Sequence, residues 1–174
     1  MLLEMWSACE DLPVDDHEDD SGHLADSAVI RRAEIRDASL LAALVDETYR
    51  KYVERIGRAP GPMDLDYGEV IETRSVWVAE LNGSIVGVVV LSFEPDHVLL
   101  ENVAVREDLQ GIGLGAHLID FAEQEGRRRN LPEMRLYTNE AMTENLVYYP
   151  RLGFHETGRA ASDGFQRVWF TKSL

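Results

Sequence analysis

The sequence contains a single cysteine and lacks any long apolar run. Cys9 cannot form an internal disulfide, and its acidic neighbours Glu10 and Asp11 disfavour the thiolate that a cysteine nucleophile needs. No uninterrupted apolar stretch approaches the roughly 18 residues that cross a bilayer. The amino terminus also lacks the basic and then apolar segments of a secretory signal. We therefore expect a cytoplasmic protein with no membrane partner and no catalytic cysteine.

Basic residues are scarce as well. The 174 residues include 17 Lys and Arg against 32 Asp and Glu, which gives a formal net charge of −15. Such a chain repels nucleic-acid phosphates, so we expect no nucleic-acid partner and favour a cationic one. Residues 1–28 hold nine of the acids and no Lys or Arg, without helical or strand periodicity. They are predicted to form an acidic, disordered extension, either a solvated tail or a docking arm, before one folded domain at 29–174.

The folded part alternates between strand patterns and helix patterns. Apolar residues recur at helical spacing from Leu40 to Tyr52, and Asn82 and Gly83 between two apolar runs are typical of a hairpin turn. The predicted strands are 29–35, 76–81, 85–91, 98–105, 134–137 and 165–170. The predicted helices are 40–52, 63–72, 114–129 and 142–152. This alternation predicts an α/β fold in which helices cover both faces of one mixed sheet.

A glycine-rich loop follows one of these strands. Gln110 to Gly115 reads QGIGLG, and without β-carbons its backbone N–H groups can contact a phosphate at the start of the next helix. No Lys-Ser or Lys-Thr follows the last glycine, which excludes a nucleotide-hydrolysing P-loop. Gly111, Gly113 and Ala116 fit the dinucleotide pattern G-x-G-x-x-A, although five residues separate the strand from the first glycine. A dinucleotide site and a connector without a ligand stay open as alternatives.

Two motifs together resemble the GNAT superfamily of N-acyltransferases. Asn102 to Val105 form an apolar strand end, and Gln110, Gly113 and Gly115 match the family signature Q/R-x-x-G-x-G/A that follows such a strand. Asn145 to Phe154, NLVYYPRLGF, is similar to the family element N-x-x-x-Y-x-x-x-G-F. The resemblance covers 29–174. It implies a single GNAT-like domain with a mixed, mostly antiparallel sheet flanked by helices, and acetyl-CoA as cosubstrate.

The resemblance also implies which residues hold acetyl-CoA. The backbone of Val103 and Val105 would pair with the pantetheine arm, and the amides of the glycine loop would hold the pyrophosphate. Asn145 is a candidate coenzyme contact, with helix capping as its alternative. The full candidate set for acetyl-CoA is Val103, Ala104, Val105, Gln110, Gly111, Ile112, Gly113, Leu114, Gly115 and Asn145.

Two residues are candidates for the proton transfers. Tyr149 aligns with the family's tyrosine that donates a proton to the coenzyme sulfur. Its alternative role is packing. The geometry around Tyr149 depends on Pro150, which lies inside the short helix. Glu101 lies two residues before Val103, so strand alternation predicts that both share one face of the sheet. Glu101 would act as a base or an ammonium anchor, or as an ion-paired structural carboxylate.

These residues lead to one hypothesis with rivals. His97, His117 and His155 lack the spacing of zinc ligands, so no metal is expected. We expect an N-acetyltransferase that moves an acetyl group from acetyl-CoA to a primary amine, on a small molecule or a protein, within a ternary complex. The alternatives are a non-catalytic acyl-CoA sensor and, more distantly, a dinucleotide-dependent oxidoreductase. A homodimer is possible because relatives commonly form one.

Overall fold

The computed structural model describes residues 27–174, which form a seven-stranded sheet in the order β1-β2-β3-β4-β5-β7-β6. The predicted extension, apart from its last two residues, and Cys9 lie outside this range. The strands are β1 Val29–Arg32, β2 Ser75–Leu81, β3 Ser84–Phe93, β4 Val98–Val105, β5 Glu133–Asn139, β6 His155–Ser162 and β7 Phe165–Ser173. The α-helices are α1 Ala38–Ile56, α2 Tyr67–Thr73, α3 Leu114–Arg128 and α4 Thr143–Arg151.

The strand pairing leaves a gap in the middle of the sheet. Neighbouring strands within residues 27–174 are antiparallel except β4 and β5, which are parallel. Among the described residues, β4 and β5 pair from Val98 opposite Met134 to Leu100 opposite Leu136. Beyond that point β5 continues beside β7 as far as Asn139. The two strands therefore diverge, and the second half of β4 has one edge that β5 does not cover.

Helices cover both faces of the sheet, as the sequence predicts. On one side, here the α1 face, helices α1 and α2 pack on the sheet through side chains such as Leu44 and Tyr67. On the other side, the α3 face, helices α3 and α4 pack through side chains such as Leu118 and Tyr149. Burial of these apolar side chains is the main stabilising contribution to the fold. The glycine loop connects β4 to α3 and therefore lies beside the gap.

Three elements differ from the sequence-based predictions. β6 was not predicted, because an edge strand paired by backbone hydrogen bonds to β7 needs no apolar alternation, and its side chains are mostly exposed. The first strand ends at Arg32, since Asp37 accepts the Glu34 N–H and closes a 3₁₀ turn. The predicted helix 63–72 is divided into a 3₁₀ turn and α2, which begins where Asp66 caps the Gly68 N–H.

Candidate active site

The free edge of β4 presents backbone groups to the gap. The Arg106 N–H donates to the Val86 carbonyl at 2.9 Å, so alternation along the antiparallel ladder directs the peptide groups of Val103 and Val105 away from β3. The Val105 carbonyl accepts from Gln110 Nε2 at 2.9 Å, and the Val103 carbonyl accepts weakly from the Tyr49 hydroxyl at 3.4 Å. The N–H groups of Val103 and Val105 face the same gap, where an extended ligand could pair with them.

Two cavities meet at this gap. The loop-side cavity has a volume of about 490 Å³ and lies between β4, the glycine loop and α4. The hairpin-side cavity has a volume of about 240 Å³ and lies between β4, β5 and the β6–β7 hairpin. They share four lining residues, Tyr49, Val103, Asn145 and Tyr149. Two ligands could therefore bind at once and meet beside Tyr149.

Most of the predicted site residues line the loop-side cavity. These are Val103, Ala104, Val105, Gln110, Gly111, Gly113, Gly115, Asn145 and Tyr149. Ile112 and Leu114 do not, because their side chains pack on the α3 face, where Leu114 is buried. Each could contact a ligand only through its backbone amide. Glu101 lines the other, hairpin-side cavity.

The glycine loop leaves several amides available to an anion. Gly111 and Gly113 have φ values of 86° and 95°, in the left-handed region that favours glycine. The first hydrogen bond of α3 runs from the His117 N–H to the Gly113 carbonyl at 3.0 Å. A helix has no internal acceptor for the N–H groups that precede this bond, so they can bind a phosphate together with the positive end of the helix dipole.

Two cationic side chains that the sequence did not predict lie beside the loop and add to this candidate anion site. Lys51 of α1 and Arg151 of α4 line the loop-side cavity, and Lys51 Nζ donates to the Gln110 side chain at 3.2 Å. Because Gln110 also donates to Val105, its amide ties the loop to β4. A Cβ at Gly115 would lie 2.9 Å from the Tyr148 hydroxyl, so glycine there lets Tyr148 approach the loop. These groups fit the phosphates of a coenzyme A molecule.

Tyr149 is buried at the junction of the two cavities. Its ring packs against Phe154 and Phe170 with centroid distances of 5.8 Å to each. Within residues 27–174 its hydroxyl has no hydrogen-bond partner. Burial is the main reason that the pKa of Tyr149 lies above its ordinary value, with a smaller contribution from Tyr148. The phenol therefore keeps its proton at neutral pH and could donate it to a ligand in either cavity.

Pro150 lies in the last turn of α4, directly after Tyr149. The helix ends there: the Leu152 and Gly153 N–H groups donate to the Tyr149 and Pro150 carbonyls at 3.0 Å each. Gly153 has a φ of 89°, a left-handed conformation that is common just after a helix. The proline thus terminates the helix instead of interrupting it, and Tyr149 keeps a helical position.

Asn145 lies on α4 and spans the gap to β5. Its Nδ2 donates to Thr138 Oγ1 at 2.9 Å. The residue that caps α4 is Met142, so Asn145 is not a helix cap. Its side chain instead fixes α4 against β5 at the point where β5 has diverged from β4, and both cavities contact it.

A β-bulge in β4 changes the expected position of Glu101. Val90 of β3 lies opposite Asn102, but Leu91 lies opposite Leu100, so Glu101 is an extra residue in β4. Side-chain alternation is interrupted there. The prediction for Glu101 depended on that alternation.

Glu101 consequently does not share a face with Val103. Val103 packs on the α3 face, whereas the Glu101 carboxylate forms an ion pair with Arg74, just after α2, at 3.0 Å. It also accepts a hydrogen bond from Ser92 of β3. The same-face prediction is therefore wrong, and a catalytic role for Glu101 stays a prediction.

A buried polar network that was not predicted from the sequence lies beside the gap. The Tyr49 hydroxyl donates to Asn102 Oδ1 at 2.7 Å, and Asn102 Nδ2 donates to the Tyr67 hydroxyl at 3.0 Å. The Tyr67 hydroxyl in turn donates to the Pro62 carbonyl at 3.2 Å. This chain uses the Tyr49 hydrogen and leaves its oxygen as an acceptor toward the cavities. The polar Asn102 in an apolar strand was the one signal for it.

The chain matches the family model described as the acetyltransferase (GNAT) family over residues 38–154. It belongs to the GNAT acetyltransferase family. The matched range runs from α1 through α4 to Phe154 and includes both motifs that suggested the resemblance. Membership confirms the predicted family and identifies the chain as an acetyltransferase.

Solved GNAT structures share this fold. The PaiA N-acetyltransferase of Thermoplasma acidophilum, in complex with coenzyme A, is 17% identical, with a TM-score of 0.71 over 85% of this chain and 99% of that chain. A GNAT acetyltransferase of Elizabethkingia anophelis with acetyl-CoA bound is 17% identical, with a TM-score of 0.62 over 86% and 99%. The ribosomal-protein-alanine N-acetyltransferase of Brucella melitensis is 22% identical, with a TM-score of 0.63 over 84% and 99%. These likenesses confirm the predicted fold class.

No curated protein has a significant match to the sequence. Within residues 27–174 no group of three His, Cys, Asp or Glu side chains could hold a metal ion. In the same range, no helix combines the length and the apolar composition needed to cross a bilayer.

Proposed function

We propose that this GNAT enzyme transfers an acetyl group from acetyl-CoA to a primary amine while both substrates are bound. The observation that carries the proposal is the gap between β4 and β5, where two cavities meet beside the Tyr149 hydroxyl, which has no partner within residues 27–174. The loop-side cavity would hold the acetyl donor, and the hairpin-side cavity would hold the amine. Coenzyme A or acetyl-CoA bound to the related structures supports this choice of donor.

The backbone near the gap supports the choice of donor. Val103 and Val105 present free N–H groups along an uncovered strand edge, where an extended pantetheine arm could pair as another strand would. The amides of the glycine loop, with Lys51 and Arg151, match a diphosphate in charge and in hydrogen-bonding capacity. The bound thioester supplies an acetyl carbon that an amine can attack.

Tyr149 is proposed as the acid. The transfer forms a bond between the amine nitrogen and the acetyl carbon, breaks the carbon–sulfur bond, removes one proton from nitrogen and delivers one to sulfur. The Tyr149 hydroxyl has a raised pKa, has no partner among residues 27–174 and lies where the cavities meet, so it can deliver the proton to sulfur. Holding two substrates side by side can lower the barrier by roughly 7 to 11 kcal/mol.

Glu101 is proposed to act on the amine side. It lines the hairpin-side cavity, and its carboxylate is already paired with Arg74. The amine must lose its ammonium proton before it can attack. Glu101 could accept that proton directly or through a water molecule, or it could attract the ammonium group without taking the proton.

Calorimetry with acetyl-CoA and an assay of thiol release over a panel of primary amines test the proposal. We expect acetyl-CoA to bind and at least one amine to accelerate thiol release. Failure of acetyl-CoA to bind would refute the proposal. Binding without turnover on any amine would favour the non-catalytic acyl-CoA sensor instead.

A further inference from the structure

We propose that the acceptor is a primary amine on a compact apolar or aromatic body that also carries a carboxylate, and that Arg167 binds this carboxylate. The inference rests on the acetyltransferase function proposed above and assigns a substrate class to the hairpin-side cavity. An amino acid with an apolar side chain is the simplest molecule of this class. The lining of the cavity, its charges and its size carry the inference.

The walls of the hairpin-side cavity are mainly apolar and aromatic. Ile56 and Leu65 come from the segment around the end of α1, Tyr137 from β5 and Phe165 from β7. With a volume of about 240 Å³, the cavity is smaller than the usual range for sites that bind small ligands, roughly 300 to 1,000 Å³. These walls favour a compact body with apolar surface over a long hydrophilic chain.

The charged side chains of the cavity lining distinguish the possible amines more clearly than its apolar walls do. Among the described residues, two charged side chains line this cavity, Glu101 and Arg167. Glu101 is already engaged by Arg74 and Ser92. A polyamine would bring two or more positive charges to a cavity with one engaged carboxylate and one arginine. The lining therefore disfavours a polycation, although the whole chain is acidic.

Arg167 can take an additional anion. Its side chain is 17% exposed, and its guanidinium lies over the Tyr137 ring at 4.3 Å from the centroid. Its ion-pair partner, Asp163 at 2.9 Å, lies in the hairpin turn and is 72% exposed, so that pair is screened by water and weak. Arginine has five donor hydrogens in a fixed fork, which leaves hydrogens for a carboxylate in the cavity.

The test compares amines that differ in the carboxylate alone. The full-length protein, saturated with acetyl-CoA, is assayed with phenylalanine against phenethylamine, with leucine against isoamylamine, and with spermidine. We expect kcat/KM to be at least about tenfold higher for the amino acid of each pair, which corresponds to one charged hydrogen-bonded contact. Spermidine should be the poorest substrate.

Arg167→Met should abolish this preference, mainly through a higher KM for the amino acids. Arg167→Lys keeps the charge without the fork and should retain part of the preference. Arg159→Met is the matched control, since Arg159 forms a similar ion pair with Glu156 on the exposed side of β6, outside the cavity lining. It should leave the preference unchanged.

Three outcomes would overturn the inference. The first is an equal or higher kcat/KM for the amines without a carboxylate in the wild-type protein. The second is spermidine as the best substrate, and the third is an unchanged preference in Arg167→Met. In each of these cases acetyl-CoA is still consumed in the presence of an amine, so the acetyltransferase proposal stands. The acetyltransferase proposal itself would be contradicted by a different result, the absence of turnover with any amine.

Discussion

Tyr149 combines two properties at a single position. Its ring is held by Phe154 and Phe170, whereas its hydroxyl lies where the two cavities meet and has no partner within the described range. Because no buried side-chain polar atom of the described residues lacks a partner, this unpaired hydroxyl must reach the open space of the cavities and not the core. The arrangement is typical of a group whose partner is a substrate.

Replacing Tyr149 by Phe should separate chemistry from binding. The substitution removes one hydroxyl and keeps the ring in its packing site, so we expect kcat to fall by about 100-fold, the contribution of a general acid. The dissociation constant for acetyl-CoA, measured by calorimetry, should change by less than about threefold, because the contacts proposed for acetyl-CoA come from the backbone of β4 and the glycine loop. An unchanged kcat would remove the acid assignment and leave Tyr149 a packing role.

The pH dependence gives a second measurement on the same residue. Burial raises the pKa of Tyr149 above its ordinary value, so the protonated acid persists as the pH rises toward 10. We expect the kcat of the wild-type protein to rise as the amine loses its proton and to show no decline up to about pH 10. A decline of kcat between about pH 8 and 10 would contradict a protonated phenol as the acid.

At the scale of secondary-structure elements, the candidate site forms where the regular pairing of strands and the regular helix are interrupted. β4 and β5 diverge after Leu100, the bulge at Glu101 shifts the side chains of β4, and α3 begins at Leu114, within the glycine loop. Each interruption leaves backbone groups or side chains directed into the gap. The ion pair between Arg55 of α1 and Glu144 of α4, at 2.7 Å, joins two helices beside the loop-side cavity.

Two glycines with similar positive φ values allow the effect of backbone strain to be distinguished from the function of the glycine loop. Gly111 and Gly83 have φ values of 86° and 76°, and a Cβ at either would meet no atom within 4 Å. Alanine at either position should therefore cost a similar free energy of unfolding, about 1 to 2 kcal/mol. Only Gly111→Ala should weaken acetyl-CoA binding, by about tenfold, because the added methyl group and the strain disturb the amides at the helix start.

Calorimetry and urea unfolding of both variants check this prediction. Gly83 lies in the β2–β3 turn, outside both cavity linings, so it reports the effect of strain alone. Equal losses of affinity in the two variants would mean that the loop acts through stability. No loss of affinity in Gly111→Ala would remove the loop from the donor site.

At the scale of the whole molecule, the most acidic segment and the proposed active site lie in different parts of the chain. Residues 1–28 carry nine acids without a compensating Lys or Arg. The residues proposed here for donor and acceptor lie within residues 27–174, and the family match spans 38–154. The solvated tail predicted for the acidic segment, with a docking role as its alternative, a homodimer and a cytoplasmic location stay predictions.

Removing residues 1–26 should leave the enzyme active. The helices, the sheet and the two cavities described above are formed by residues 27–174. We therefore expect kcat to change by less than about twofold, and the free energy of unfolding by less than about 0.5 kcal/mol. Steady-state assays and urea unfolding of the shortened and the full chain measure both. A large loss of kcat would contradict the predicted boundary and place part of the site in the acidic segment.

The sequence by itself determined the family, the α/β class and the residues of the glycine loop. These features depend on residues that lie close together in the sequence. Alternating apolar residues specify strands, and apolar residues at helical spacing specify α1 and α3. The three glycines between Gln110 and Gly115 favour a loop whatever the rest of the fold is. The motif around Tyr149 was also visible, because its residues lie close together along the chain.

Only the tertiary structure decided how these parts combine. The bulge that separates Glu101 from Val103, the Tyr49–Asn102–Tyr67 chain and the placement of Arg167 beside Tyr137 all depend on contacts between residues far apart in sequence. The point at which β4 diverges from β5 depends on the pairing of strands that lie far apart in the sequence, which no local pattern encodes. The chemistry of the gap could be proposed from the sequence, but its shape and its lining required the fold.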